Sequence, residues 1–225
     1  MLRPYVPDGI SPETICQQKG NICCMSYNPD RYHRRSIRLK SYDYSQTGAY
    51  FVTICALDRE CVFGEIADGQ MRLNPLGEIV QACWHCLPQH FWYLELDAFV
   101  IMPNHVHGII ELNGVGAQHA APLPGGLRPN VPPGSLGAIV RSFKSAVSKQ
   151  INESRGAPGT PIWQRNYYEH IIRNEDELRR ICQYIVDNPA QWVLDRENPA
   201  NPAVGAQHAA PLRGDIDDLL GAIRP

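Results

Sequence analysis

Two histidines separated by one residue, His105 and His107 in MPNHVHGII, are the positions best suited to chemistry. On a β-strand residues i and i+2 point to the same face, so both imidazoles can converge on one ion or one phosphate. A bare His-x-His is common, but this pair opens an apolar strand directly after the turn dipeptide Pro103-Asn104. A second element answers it. In RRICQYIVDNP, Tyr184 and Asn188 stand four residues apart, one turn of a helix. Leu178, Ile181, Cys182 and Ile185 make the apolar stripe of that helix, and both polar residues flank the stripe, where they can face a cleft beside the core.

The elements that must position these residues are legible from periodicity. AYFVTICAL (49–57) is rich in β-branched and aromatic residues and reads as a strand. The stretch 61–73, split by the turn signal ADG, reads as a small hairpin. Leu76, Ile79, Val80, Cys83 and Leu87 fall at helical spacing, and 94–112 reads as two strands broken at Pro103-Asn104. Leu136, Ile139, Val140, Phe143 and Val147 form the stripe of a second helix, with Arg141 and Lys144 on its polar side. The extended piece PIWQRNYYEHII precedes a last helix at roughly 174–188, capped by Asn174, favoured by Glu175 to Glu177 at its positive end and limited by Pro189. Strand–helix–strand–strand–helix–strand, then a further helix, predicts an α+β fold with a ferredoxin-like antiparallel sheet. That architecture hosts many functions and decides none.

Length and composition bound the rest. The chain has 225 residues and a net charge of −2, with enough apolar material for one core. A protein that coats nucleic acid non-specifically is usually basic overall, so a nucleic-acid role must rest on local patches. One runs through Arg31, Arg34, Arg35, Arg38 and Lys40, with Tyr32, Tyr42 and Tyr44 near enough to stack on bases; another is Arg141, Lys144 and Lys149. No apolar run is long enough to span a bilayer and no signal-peptide pattern opens the chain, so a cytoplasmic location is expected. Eight cysteines in such a chain are expected as thiols, and the Cys83-x-x-Cys86 pair, without a second pair at similar spacing, as core packing instead of a zinc site. The expected organisation is an extension or disordered tail at 1–24, a basic arm at 25–48, a catalytic domain at 49–193 interrupted by a loop at about 114–134, and a flexible tail at 194–225.

One feature fits no architecture. VGAQHAAPLPG (115–125) recurs as VGAQHAAPLRG (204–214), identical but for one position. The spacing is too long for a solenoid, and the sequence between the copies does not repeat. Apart from its first base, a GC-rich string that can encode the shared nine residues is its own reverse complement, which predicts two copies of a mobile, hairpin-forming DNA element within the gene. The inserts themselves are expected to be exposed and structurally inert.

Taken together, MPNHVHGII, WQRNYYEHIIRN and YIVDNP resemble the His-hydrophobic-His single-strand DNA nucleases, and specifically the REP-associated tyrosine transposases, over about residues 26–192. The resemblance implies a divalent metal, Mg²⁺ or Mn²⁺, held by His105, His107 and Asn188, with Tyr184 as nucleophile. It also implies single-stranded or hairpin DNA as the partner of a monomer or homodimer associated with the bacterial nucleoid. Two imidazoles and an amide are softer ligands than Mg²⁺ usually takes, so Mn²⁺ is expected to serve at least as well, with the choice between the two left open. Tyr167 and Tyr168 are rival nucleophiles, and Arg165 and His170 secondary candidates for phosphate or outer-shell contacts. Two other readings share these residues: a non-catalytic nucleic-acid-binding module of the same fold, and an inactive relic.

Overall fold

The computed structural model describes residues 42–113 and 134–201. Residues 1–24, the arginines and lysine of the basic arm, and both copies of the duplicated peptide lie outside the described residues. In chain order the elements are β1 (Gly48–Cys55), β2 (Gly64–Ala67), β3 (Gln70–Leu73), α1 (Pro75–His85), α2 (Leu87–His90), β4 (Leu94–Ile101), β5 (His105–Leu112), α3 (Leu136–Arg155), β6 (Tyr168–Ile172) and α4 (Glu175–Asp187), followed by a 3-10 segment, Asn188–Leu194.

Four strands make the main sheet in the order β4-β5-β1-β6, and every neighbouring pair is antiparallel. With β1, α1, β4, β5, α3 and β6 in sequence, this is the ferredoxin-like arrangement that the periodicity predicts. β2 and β3 form a separate hairpin, turned at Asp68-Gly69, where both residues have positive φ as a two-residue hairpin turn demands.

Alternation along the strands gives the sheet two different faces. Tyr50, Val52 and Ile54 of β1 and Val106, Ile110 and Leu112 of β5 join the apolar core with Val80 and Trp84 of α1 and Ile139, Val140, Phe143, Val147 and Ile151 of α3. Gly108 belongs to this face for a steric reason: a Cβ there would stand 2.4 Å from the Trp84 ring, which stacks on Phe99 just beside it. The opposite face carries Phe51, Thr53, Cys55, His105, His107 and Ile109, all buried, beneath α4 and the residues that follow it. Burial on both faces is why β1 and β5 read as near-continuous apolar runs.

The helix ends follow ordinary capping chemistry. Asn74 accepts from the amides of Leu76 and Gly77 ahead of α1, with Pro75 at the first helical position. Ser135 caps α3, and Asn174 caps α4 by accepting from Glu177 N. The Glu177 carboxylate bonds back to Arg173 N at 2.6 Å and to His170 Nε2 at 2.8 Å, which ties the start of α4 to β6. α4 therefore leaves the sheet at a fixed angle and runs over the face that holds the histidines.

Candidate active site

β5 sets the histidines and β1 supports them. His105 and His107 pair with Cys55 and Thr53 in the antiparallel register, and both imidazoles are almost completely buried. Their Nε2 atoms lie 3.0 Å apart. Two nitrogen lone pairs at that distance repel, so either one ring carries a proton between them or a cation sits against both.

The second nitrogen of each ring decides its tautomer. Asn104 Nδ2 donates to two carbonyls, Arg59 O at 3.0 Å and Glu197 O at 2.6 Å, which fixes the amide with its oxygen facing His105. That oxygen can only accept, so His105 Nδ1, 2.8 Å away, carries the proton and His105 Nε2 keeps its lone pair. His107 Nδ1 faces Thr53 Oγ1 at 2.8 Å. A hydroxyl donates or accepts equally well, so His107 can hold its proton on either nitrogen. With a cation present, Thr53 accepts from Nδ1–H and His107 Nε2 becomes a ligand; without one, His107 Nε2–H donates to His105. Both rings stay neutral throughout, as ligation requires. Burial, with the His107 and Arg59 charges adding to it, holds His105 well below the ordinary imidazole range, and burial lowers His107 to about 3.

Tyr184 comes down from α4 onto this pair. Its hydroxyl is 3.4 Å from His107 Nε2, and its ring meets the His107 ring at a centroid distance of 5.3 Å. Phe51 stacks on His107 at 5.3 Å and presents its edge region to Tyr184, so one aromatic ring holds both. The rival tyrosines are placed differently. Tyr168 is buried on β6 opposite Thr53, against Phe51, while Tyr167 packs on the apolar core. The tyrosine with a hydroxyl against the histidine pair is Tyr184.

Asn188, one turn beyond Tyr184, is buried, and its Oδ1 lacks a hydrogen-bond partner. An orphaned buried amide oxygen costs stability unless something polar meets it. A further acidic donor comes from a position the sequence reading places in the tail. Asp195 Oδ2 stands 3.7 Å from His105 Nε2, and His105, His107 and Asp195 offer three donor atoms within 4.8 Å of one another, the one such group among the described residues. Asp195 is aimed by its own turn: its Oδ1 accepts from Glu197 N at 2.7 Å, and Asn198 N bonds to its carbonyl. The turn is in turn anchored by Glu197, buried and paired with Arg59 Nε at 2.8 Å. Trp192 covers His105 from the same segment. No sequence signal marks Asp195, because the turn that aims it is irregular and has no periodicity. A divalent cation fits this donor set: two neutral imidazoles, a carboxylate and a nearby buried amide oxygen.

The remaining predicted residues have other surroundings. His170 is held by Glu177 at the start of α4. Arg165 is exposed on the strand-leading segment, and Lys144 turns its ammonium to the carbonyls of Gln164, Arg165 and Asn166, the first at 2.6 Å. Burial lowers Lys144 to about 8. Arg141 is exposed on α3, on the far side of the sheet from the histidines.

The four-stranded sheet thus carries paired histidines on a central strand, with the hydroxyl of a tyrosine from the covering helix against them. No family model matches the chain. It is 45% identical over 176 residues to a Haemophilus influenzae protein described as an "Uncharacterized protein", covering 76% of this chain and 96% of that one. It is also 25% identical over 153 residues to a protein of the same organism described as a "Putative REP-associated tyrosine transposase", covering 66% and 74% of the two chains. Among solved structures it is similar to a REP-associated tyrosine transposase bound to a REP hairpin, with 19% identity, a TM-score of 0.46, and 71% and 74% of the chains covered. A second is described as a "putative transposase" from Deinococcus radiodurans, with 19% identity, a TM-score of 0.34, and 68% and 97% covered. The sequence likeness to a described transposase is the 25% identity over 153 residues, which spans 66% of this chain.

Proposed function

We propose that this protein is a divalent-metal-dependent single-strand DNA endonuclease and strand transferase, acting at hairpin-forming repeats through a 5′-phosphotyrosine on Tyr184. The observation that carries the reading is the approach of the Tyr184 hydroxyl to 3.4 Å from an imidazole that itself faces a second imidazole at 3.0 Å. A nucleophile beside a ligand-grade nitrogen pair is the arrangement phosphoryl transfer needs.

His105, His107 and Asp195 would hold the cation, with Asn188 Oδ1 as a further buried oxygen donor. When bound, it supplies Lewis acidity to a non-bridging phosphate oxygen and eases loss of the phenolic proton, which a free tyrosine holds to about pH 10. The chain does the rest. Asn104 and Thr53 orient the two imidazoles, and Phe51 fixes the tyrosine ring against His107. Tyr184 Oη attacks phosphorus, a tyrosine–phosphorus bond forms, and the bond to the 3′ oxygen breaks; that oxygen leaves and takes a proton. Attack by a 3′ hydroxyl on the phosphotyrosine runs the same exchange in reverse. One phosphoester replaces another at each step, so joining needs no nucleotide triphosphate.

The test is incubation of the full chain with a labelled hairpin oligonucleotide and Mn²⁺, followed by denaturing electrophoresis. A protein–DNA adduct that survives denaturant, needs Mn²⁺ or Mg²⁺, and disappears in Tyr184→Phe supports the reading. Binding without an adduct favours the non-catalytic module or the relic.

A further inference from the structure

We infer that the palindrome written into this protein's own gene is its DNA substrate, so that the duplicated VGAQHAAPL peptide is the translated footprint of two insertions. This rests on the strand-transfer reading above.

The fold shows where the copies fall. β5 runs without interruption to Leu112, in register with Gly48 of β1 and Leu94 of β4. α3 begins at Leu136 behind its own cap, Ser135, with Leu136 N bonded to Tyr44 O. The first copy, 115–125, lies between these two complete elements, and the second, 204–214, follows the last described residue, Asn201. Every strand and helix of the sheet is present without either copy. A repeated peptide that belongs to no repeated fold unit has no structural reason to be identical, whereas insertions survive between elements because they cost the core nothing.

The residue types point to DNA as the unit that was copied. In the self-complementary coding string, the centre falls between the second and third bases of the His119 codon. First codon bases then pair only with first codon bases: His119 with Ala120, Gln118 with Ala121, Ala117 with Pro122, Gly116 with Leu123, and Val115 with Pro124. These are the pairings where synonymous choice helps least, since His, Gln, Ala, Gly, Val and Pro each fix their first base. All five are C with G, given a CTN codon for leucine. Each of the five pairings demands complementary first bases that the residue types set, and all five meet the demand. Second bases pair with third bases, and there the free wobble positions accommodate all of them, Gln118 and His119 included. The second copy obeys the same rule about His208, with Arg213 in place of Pro124 also permitting C at its first base. The one difference between the copies therefore falls at the outer edge of the pairing, where a DNA unit would end. As a single strand the element closes into a hairpin with a stem of about a dozen base pairs, the form of substrate that the proposed reaction takes. A hairpin-directed strand transferase supplies the joining chemistry; two tolerated landings in its own reading frame are the record.

The test uses the full chain with Mn²⁺ and four labelled single-stranded substrates. They are the gene's own strand across codons 115–124 with its flanks, a hairpin of scrambled stem and equal composition, the same bases arranged so that no stem forms, and a pool of random-stem hairpins. The expected result is a denaturant-stable adduct on the gene's own hairpin at least tenfold faster than on the scrambled or unpaired strands. If pool hairpins form adducts but the gene's own hairpin is no better than the scrambled one, the inference is overturned and the strand-transfer reading stands. If no strand forms an adduct, both fall. Codons at 115–124 and 204–213 that are not self-complementary overturn the inference before any protein is made.

Discussion

The two faces of the sheet are built from the same strands and do opposite things. On one, Val106, Gly108 and Ile110 of β5 face the apolar core built with α1 and α3. On the other, one residue out of step, His105 and His107 are equally buried, and each side-chain nitrogen is committed: to Asn104, to Thr53, or to the other ring. The difference teaches where tolerance lies. The apolar face depends on volume, and a change there costs stability without touching chemistry. The polar face depends on partners, because an unsatisfied buried donor or acceptor costs about 1–3 kcal/mol and a misplaced ring loses a ligand.

The sharpest break in this comparison is to remove a ligand. His107→Ala or His105→Ala should lower adduct formation by at least about a thousandfold, since Lewis-acid stabilisation is worth several kcal/mol. Hairpin affinity in a gel-shift assay should stay within a few-fold, because backbone contacts to basic residues carry it. Chelator should reproduce the loss in the unaltered protein, and Mn²⁺ should restore it.

Removing a support should cost less. Asn104→Ala leaves His105 Nδ1 and the carbonyls of Arg59 and Glu197 without their partner. Metal affinity, read by calorimetry with Mn²⁺, should fall about 10–100-fold, the usual effect of losing a group that orients a ligating histidine.

The matching change on the apolar face is Gly108→Ala, whose Cβ would press on the Trp84 ring. It should lower unfolding free energy by about 1–3 kcal/mol, as overpacking does, while Mn²⁺ affinity measured well below Tm is unchanged. A large loss of metal affinity here would show that the two faces are not independent.

A pH series sharpens the same contrast in metal-free protein. The folded pKa of His107 is about 3, below the unfolded value near 6.5, so the unfolded chain binds more protons between those limits. Stability from this group is complete above about pH 6.5 and is lost as pH falls toward about 3. The difference in unfolding free energy between the unaltered protein and His107→Gln should therefore shrink through that window, and should stay flat between pH 7 and 9.

The strands and helices of the antiparallel sheet, the break at Pro103-Asn104 and the Asn174 cap were all legible in the sequence, because periodicity and capping are local signals. So was the shared side of His105 and His107, which follows from a period of two. Asp195 was not: the turn that aims it is held by Arg59 and Glu197, 138 residues apart, and no local pattern encodes a contact of that range. Lys144 shows the converse. Its place on the polar side of α3 suggested DNA contact, yet its ammonium is occupied by three carbonyls, because the segment 164–166 passes over that helix. Helical periodicity says which residues face away from the core, and not what else arrives to cover them.

The central claim is that Tyr184 is the atom donor of the covalent link. Proteolysis of the Mn²⁺-dependent adduct, nuclease trimming of the DNA and mass spectrometry of the peptides locates the phosphate directly. The account predicts a single 5′-phosphonucleotide on Tyr184, with Tyr167 and Tyr168 unmodified. Phosphate on either of those two tyrosines, or an adduct of the same yield in Tyr184→Phe, would contradict it.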